Sequence, residues 1–245
     1  MITNIFRALY SVYFILITIF FFVVYTIPIT FMYPFWGKKK HYNYAVWGKI
    51  WAQSILFATC LYPKISGNFP KKGSSNIFVL NHQSQIDILI ALAVLPAGFI
   101  FIAKEDLFKV PFLGMSMKKC GYIPIKRESP KESTKTLEKI KQLVQEGKSV
   151  LIFPEGTRST TGKIGAVKRG SIMLAFDTKT ALLPVVLNPA YKIMPKGSLF
   201  LHHQPLKVIF GAPIHFDWEN KNRNYTIHAA KKVEEELNVL MNKIL

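Results

Sequence analysis

From Ala8 to Trp36 the chain runs through 29 consecutive residues without a charge, ALYSVYFILITIFFFVVYTIPITFMYPFW. A helix through them would reach roughly 44 Å at about 1.5 Å per residue, more than the roughly 30 Å hydrocarbon core of a bilayer. A surface helix of a soluble domain keeps one polar face; this stretch has none. Pro28 and Pro34 are points where it can kink or break. It is too long for the apolar region of a cleaved signal peptide, and no small-residue cleavage site follows it. It is read as a permanent membrane segment.

Only Arg7 precedes this segment, whereas Lys38, Lys39 and Lys40 follow it. A spanning helix with that bias leaves the rest of the chain in the cytoplasm, on the inner membrane if the chain is bacterial. A second apolar stretch, Tyr44–Tyr62, holds a single charge at Lys49. It fits the return leg of a membrane hairpin, an interfacial helix or a core helix. The expected organisation is a membrane-associated helical segment at 1–63 followed by an α/β domain at 64–245.

Lysine and arginine number 32 against 14 acidic residues, a formal net charge of +18. Such an excess suits an anionic membrane, a phosphorylated substrate or nucleic acid. The basic residues gather at strand ends and beside the apolar stretches, as at Lys38–Lys40 and Lys71–Lys72. No nucleic-acid-binding motif appears, so that partner is not expected. Near anionic lipid each such cation contributes about 1 kcal/mol. The two cysteines, Cys60 and Cys120, form no disulfide framework and lack metal-ligand spacing. Their apolar surroundings predict buried free thiols.

Past Gly67 the chain alternates between strand-like and helix-like segments. Ile77–Leu80 is an unbroken apolar run, as in a strand buried on both faces, and QSQIDILIALAVL after it reads as a helix. Gly98–Lys104 and Tyr122–Arg127 are further strands ending in polar residues, with a short helix between them stopped by Gly121. Ser129, Pro130 and Glu132 form a capping box with proline at the first helical position. The helix they open ends at Gly147. SVLIF then leads into Pro154, Glu155, Thr157 and Arg158, followed by a loop rich in glycine and lysine, Thr161–Gly170. A helix from about Ser171, a strand at Ala181–Leu187, and strand-like segments at Leu199–His202 and Leu206–Phe210 complete the core. The closing amphipathic helix turns Ile227, Ala230, Val233, Leu237 and Leu240 inward. The fold class is therefore α/β, a mixed and largely parallel sheet covered by helices, with an N-terminal membrane-embedded helical segment or hairpin.

Four of these strands end in His82, Lys104, Arg127 and Glu155–Arg158. In open α/β sheets strand ends can converge on one crevice. A metal at His82 and Asp87 would need a third protein ligand, and the adjacent His202 and His203 point to opposite faces of a strand; no metal is expected. The G-x-S-x-G pattern of a hydrolase elbow is absent. GAVKRGSI has phosphate-loop glycine spacing, but Ser171 stands where the lysine belongs.

NHQSQID, GYIPIKR, FPEGTRS and LLPVVL, in this order from Asn81 to Leu187, resemble the conserved blocks of the glycerolipid acyltransferases. The likeness is closest to those that acylate lysophosphatidic acid. The resemblance implies that His82 is the general base of an H-x4-D block and Asp87 its partner. It implies that Arg127, Glu155, Gly156 and Arg158 bind the glycerol phosphate acceptor, and that Lys104 faces the phosphate. Pro184 would belong to the donor side or to structure. Pro124 departs from the phenylalanine common in the second block, which bears on the acceptor pocket's shape. The implied donor is acyl-CoA or acyl carrier protein, the acceptor lysophosphatidic acid, with an anionic membrane as the surface and no cofactor.

The chemistry suits these residues on its own terms. A glycerol hydroxyl needs its proton removed as it attacks a thioester, and imidazole is a suitable base near neutral pH. Asp87 can fix the tautomer by accepting from the other ring nitrogen, an arrangement like a serine protease with substrate hydroxyl replacing serine. Glycerol 3-phosphate, another lysophospholipid or a lyso-amino lipid are alternative acceptors. A basic, membrane-anchored lipid-binding protein without turnover is the alternative outside catalysis.

Overall fold

The computed structural model describes residues 2–71, 74–126, 130–198 and 200–244, leaving aside the side chains of residues 2, 3 and 130–133. Lys72, Arg127, Ser129, Leu199 and the Glu132 side chain lie outside the described residues, and with them the capping box. The helices and strands run in the order α1 Ile2–Met32, α2 Lys40–Ala58, β1 Lys64–Gly67, β2 Ile77–Leu80, α3 Ile86–Val94, β3 Ile100–Lys104, α4 Leu113–Lys119 and β4 Ile123–Ile125. The second half holds α5 Pro130–Gln145, β5 Val150–Ile152, α6 Arg169–Thr178, β6 Leu182–Asn188, α7 Ala190–Ile193, β7 Lys207–Phe210 and α8 Arg223–Ile244.

Seven strands form one sheet in the order β1-β7-β6-β2-β5-β3-β4. Every neighbouring pair is parallel except β6 and β7. β2 sits at the centre, paired with β5 through Phe78 and Leu151 and with β6 through Phe78 and Leu183. The four apolar residues of β2 are all fully buried because both faces of the sheet are covered. Phe78 and Leu80 pack with α2 and α3, whereas Ile77 and Val79 pack with α5, α6 and α8. Each such side chain contributes about 1.5–3 kcal/mol. An uninterrupted run is what a central parallel strand requires.

The long N-terminal helix passes Pro28 without interruption, and Pro34 opens a 3-10 turn over Tyr33–Lys39. α1 remains largely uncovered: Phe6, Leu16, Phe20 and Phe31 are among its exposed apolar side chains, and Phe35 in the turn is 87% exposed. α2 returns beneath it as the inner helix. Ala52, Ile55 and Leu56 are buried in the same core as α3. The lone charge of this stretch has a structural reason, since Lys49 Nζ donates to Leu95 O at 2.7 Å and Gln53 Nε2 donates to Ala93 O at 3.0 Å. Both carbonyls lie at the end of α3, where a helix leaves its last acceptors unpaired. α2 is thus both the second arm of a hairpin and a core helix.

Several sequence expectations change. A strand at Lys64–Gly67 was not expected; it pairs with β7, whose antiparallel run beside β6 makes the sheet mixed. Residues 200–202 form no strand. α6 begins at Arg169, two residues before the expected start. Ile227 is 37% exposed rather than inward, whereas Ala230, Val233, Leu237 and Leu240 are buried. Cys60 is exposed and only Cys120 is buried; Cys60 falls at the turn closing α2, while burial pushes the Cys120 thiol up to about 12. In detergent, a polar thiol reagent is therefore expected to titrate one cysteine in the native protein and two after denaturation. Two equivalents in the native state would contradict this packing.

Candidate active site

The polar cluster after β2 is a web of specific bonds. Asn81 is wholly buried, its side-chain amide exchanging two hydrogen bonds with the backbone of Leu187 on β6, donating to the carbonyl at 3.0 Å and accepting from the N–H at 2.8 Å. Gln83 Nε2 donates to Gly162 O at 2.6 Å and Ser84 Oγ to Met194 O at 2.6 Å. These three residues fix the turn against β6, the glycine–lysine loop and the α7 segment. His82 and Asp87 are then held between them.

Asp87 lies in the first turn of α3 and is 0% exposed. Its Oδ2 accepts from Gln83 N–H at 2.6 Å, from Ser84 N–H at 2.8 Å and from His82 Nδ1 at 2.9 Å. Meeting two backbone donors as an acceptor, the carboxylate places the ring proton on Nδ1 and leaves Nε2 with its lone pair. Burial pushes the Asp87 carboxyl above its ordinary value, opposed by the His82 bond and the two N–H groups. The imidazole is 12% exposed. On its other side it stacks on Phe153, ring centroids 3.9 Å apart at 18°, and Phe153 meets Phe101 edge-on.

Glu155 is turned inward, 6% exposed. Oε1 accepts from the His82 N–H at 2.7 Å and Oε2 from the Gly165 N–H at 2.8 Å. Both carboxylate oxygens are thus taken up by backbone N–H groups, and Glu155 braces the His82 turn. Ser159 N–H reinforces it by donating to His82 O at 2.8 Å. Gly156 has φ +74°, and a β-carbon there would stand 2.7 Å from Lys168 Nζ. That left-handed turn carries the chain from Glu155 to Arg158.

His82, Arg158, Lys104, Thr157, Gln85 and Lys196 gather at one cavity of about 610 Å³. Its remaining wall is mostly apolar, drawn from α1 to α4 and including Ile29, Trp47, Trp51, Ile88, Leu92 and Met117. Arg158 Nη1 is buried with no hydrogen-bond partner among the described residues. A guanidinium nitrogen held in that state is ready for an anionic ligand. Lys104 ends β3 at the same cavity and pairs with Asp106 Oδ2 at 2.7 Å, both side chains exposed. The bond to Lys104 holds the Asp106 carboxyl below its ordinary value.

Arg127 lies outside the described residues. Pro124 is exposed on the edge strand β4 and lines a separate small hollow with Phe108 and Lys118, so its departure from the block does not shape the His82 cavity. Pro184 is buried within β6, its carbonyl accepting from Gly211 N–H at 2.8 Å, a structural position. Among the described residues no three His, Cys, Asp or Glu side chains gather as a metal would need. Phe153 and Asn81 were missed from the sequence; an aromatic directly at the end of β5, beside the histidine strand, was the available signal for the first.

Buried carboxylate, imidazole and anion-ready arginine at the strand ends of a mixed sheet define a base-plus-anion site on an apolar cavity. A family model described as Acyltransferase matches residues 63–188, just over half of the chain, and the chain belongs to that family. The chloroplastic 1-acyl-sn-glycerol-3-phosphate acyltransferase LPAT1 of Arabidopsis thaliana is 36% identical over 191 residues, 77% of this chain and 52% of the relative. The chloroplastic 1-acyl-sn-glycerol-3-phosphate acyltransferase BAT2 of Brassica napus is 33% identical over 216 residues, 87% of this chain and 60% of the relative. The chain thus spans little more than half the length of these curated relatives. The crystal structure of the 1-acyl-sn-glycerophosphate (LPA) acyltransferase PlsC from Thermotoga maritima superposes with a TM-score of 0.73 at 27% identity, covering 96% of this chain and 97% of that one.

Proposed function

We propose that this protein transfers a fatty acyl group from a thioester, acyl-CoA or acyl carrier protein, to the sn-2 hydroxyl of 1-acyl-glycerol 3-phosphate, giving phosphatidic acid. The observation that carries the reading is the pairing of His82 and Asp87 at 2.9 Å on a cavity shared with Arg158. The names of the family's relatives support the acceptor. In this reading Arg158, with Lys104 beside it, holds the acceptor's phosphate, and the apolar wall takes acyl chain. His82 Nε2 removes the hydroxyl proton as the oxygen attacks the thioester carbonyl. The carbon–oxygen bond forms, the carbon–sulfur bond breaks, and the imidazolium returns its proton to the departing thiolate. Asp87 stabilises the imidazolium between these steps. No covalent enzyme intermediate is needed. Glu155 and Gly156 act on the acceptor indirectly, by shaping the turn that carries Arg158.

Residues 1–63 serve here as the membrane-associated part and 64–245 as the acyltransferase domain, joined through α2. The described chain holds one helical stretch long and apolar enough to cross a membrane, Asn4–Ala58. Beside it the Val110–Gly114 turn presents Val110 and Phe112 to the outside, while Leu107 and Leu113 line the cavity. Lipid contact at α1 and at this turn, with the site on the cytoplasmic face, brings the cavity to where the acceptor resides.

Detergent-solubilised protein is expected to release free thiol from acyl-CoA only when lysophosphatidic acid is present, with phosphatidic acid as product. Arg158→Ala is expected to raise the KM for lysophosphatidic acid at least tenfold, because a charge-assisted bond of about 1.5–3 kcal/mol is lost. An enzyme that prefers a lyso-lipid without phosphate would sink this reading.

A further inference from the structure

The glycine- and lysine-rich loop Thr161–Gly170 supports the His82 turn through its backbone, while its lysine side chains have no part in the mechanism above. Gly162 O accepts from Gln83, Gly162 packs on the Tyr191 ring, and Tyr191 donates to Thr160 O at 2.9 Å. At its far end Lys168 N–H donates to Pro154 O at 2.9 Å, and the Lys168 ammonium lies against Gly156. Lys168 is thereby held against the Pro154–Arg158 turn, Lys163 follows the glycine that packs on Tyr191, and Lys192 follows that tyrosine. All three are exposed.

These cations are not neutralised by their surroundings. Among the described residues, none of the three has an ion pair. The two carboxylates that touch the loop are occupied otherwise: Glu155 accepts from Gly165 N–H and Glu234 from Val167 N–H at 3.3 Å. Several lysines elsewhere are paired, as Lys104 with Asp106 and Lys179 with Glu219. Positive charge thus stands without an ion pair on the loop that binds the Pro154–Arg158 turn, and Arg158 itself lines the cavity.

Resting on the acyl-transfer reading above, we propose that Lys163, Lys168 and Lys192 form a second anion site, which holds the phosphates of the donor's phosphopantetheine arm. Two substrates must meet at His82. The acceptor's phosphate occupies Arg158 inside the cavity, and the thioester reaches the ring from outside across the glycine–lysine loop. Coenzyme A and a carrier protein share the phosphorylated pantetheine; the nucleotide phosphates are peculiar to coenzyme A.

The test is the triple variant K163Q/K168Q/K192Q assayed with donors of decreasing phosphate content: acyl-CoA, acyl-4′-phosphopantetheine and acyl-pantetheine. The KM for acyl-CoA is expected to rise about tenfold, and its increase with ionic strength to flatten, as for a screened exposed contact. kcat and the KM for lysophosphatidic acid should hold. The penalty should persist with acyl-phosphopantetheine and vanish with acyl-pantetheine; a penalty equal for the first two donors assigns the site to the pantetheine phosphate alone, and a smaller one for the second adds the nucleotide phosphates. K135Q/K139Q/K148Q, at three exposed lysines on and just after α5, controls for net charge. An unchanged KM for acyl-CoA, or an equal penalty with all three donors, overturns the proposal. So does a rise in the lysophosphatidic acid KM alone, or weaker binding to anionic vesicles with donor kinetics intact. Should the wild type prove inactive with every donor, the acyl-transfer reading fails. Calorimetric titration of both proteins with coenzyme A then decides the lysine site by itself, since equal affinities overturn it.

Discussion

His82→Ala is expected to lower kcat for acyl transfer by about 10²–10⁴-fold, the usual contribution of a positioned base. Substrate binding should survive. The arginine and the apolar wall are separate from the ring, so the KM for lysophosphatidic acid and the partition of the protein into vesicles stay close to wild type. The fold should also survive, because the ring accounts for only one of three bonds reaching Asp87 Oδ2. Thiol release measured alongside a thermal melt checks both parts. A loss smaller than tenfold in a folded protein would show that another group takes the proton.

Glu155→Ala should injure both stability and turnover. Removing the carboxylate leaves the N–H groups of His82 and Gly165 buried without acceptors. At about 1–3 kcal/mol for each of the two orphaned donors, the protein should lose about 2–6 kcal/mol. In a chain of this length that lowers Tm by roughly 4–24 °C. kcat falls because the backbone beneath His82 is no longer held, and the KM for lysophosphatidic acid moves little. Glu155→Gln sharpens the test, since an amide can accept from one N–H but presents its own donor to the other. A glutamine variant with normal Tm and only a raised KM for the acceptor would return Glu155 to the acceptor's phosphate.

The sequence made the local features legible and hid the long-range ones. Ile77–Leu80 declared itself a central strand because apolar residues on both sides of a strand require cover on both faces. Spacing brought His82 and Asp87 into view because five residues take the chain from the strand end into the first helical turn. What Glu155 does was not legible: its partners are backbone N–H groups, which carry no side-chain signature. Lys49 looked like an interruption in an apolar stretch, and only the position of α3 shows that it caps a helix end. Phe153 was read as the end of a strand because ring stacking between adjacent strands depends on the order β2-β5, which no local pattern encodes. Ile227 kept helical spacing with its buried neighbours, yet it lies 37% exposed near the start of α8, where spacing alone does not tell covered turns from open ones.

The brace between Glu155 and His82 joins residues 73 positions apart, and Asn81 reaches Leu187 across 106. During synthesis, therefore, the His82–Asp87 pair leaves the ribosome long before its backbone supports exist. A product truncated before the fifth strand would carry that pair without the carboxylate that holds the His82 N–H, and one ending before the sixth would leave Asn81 without its partner. The turn that holds His82 is thus completed only once the fifth and sixth strands have both emerged and paired with the second.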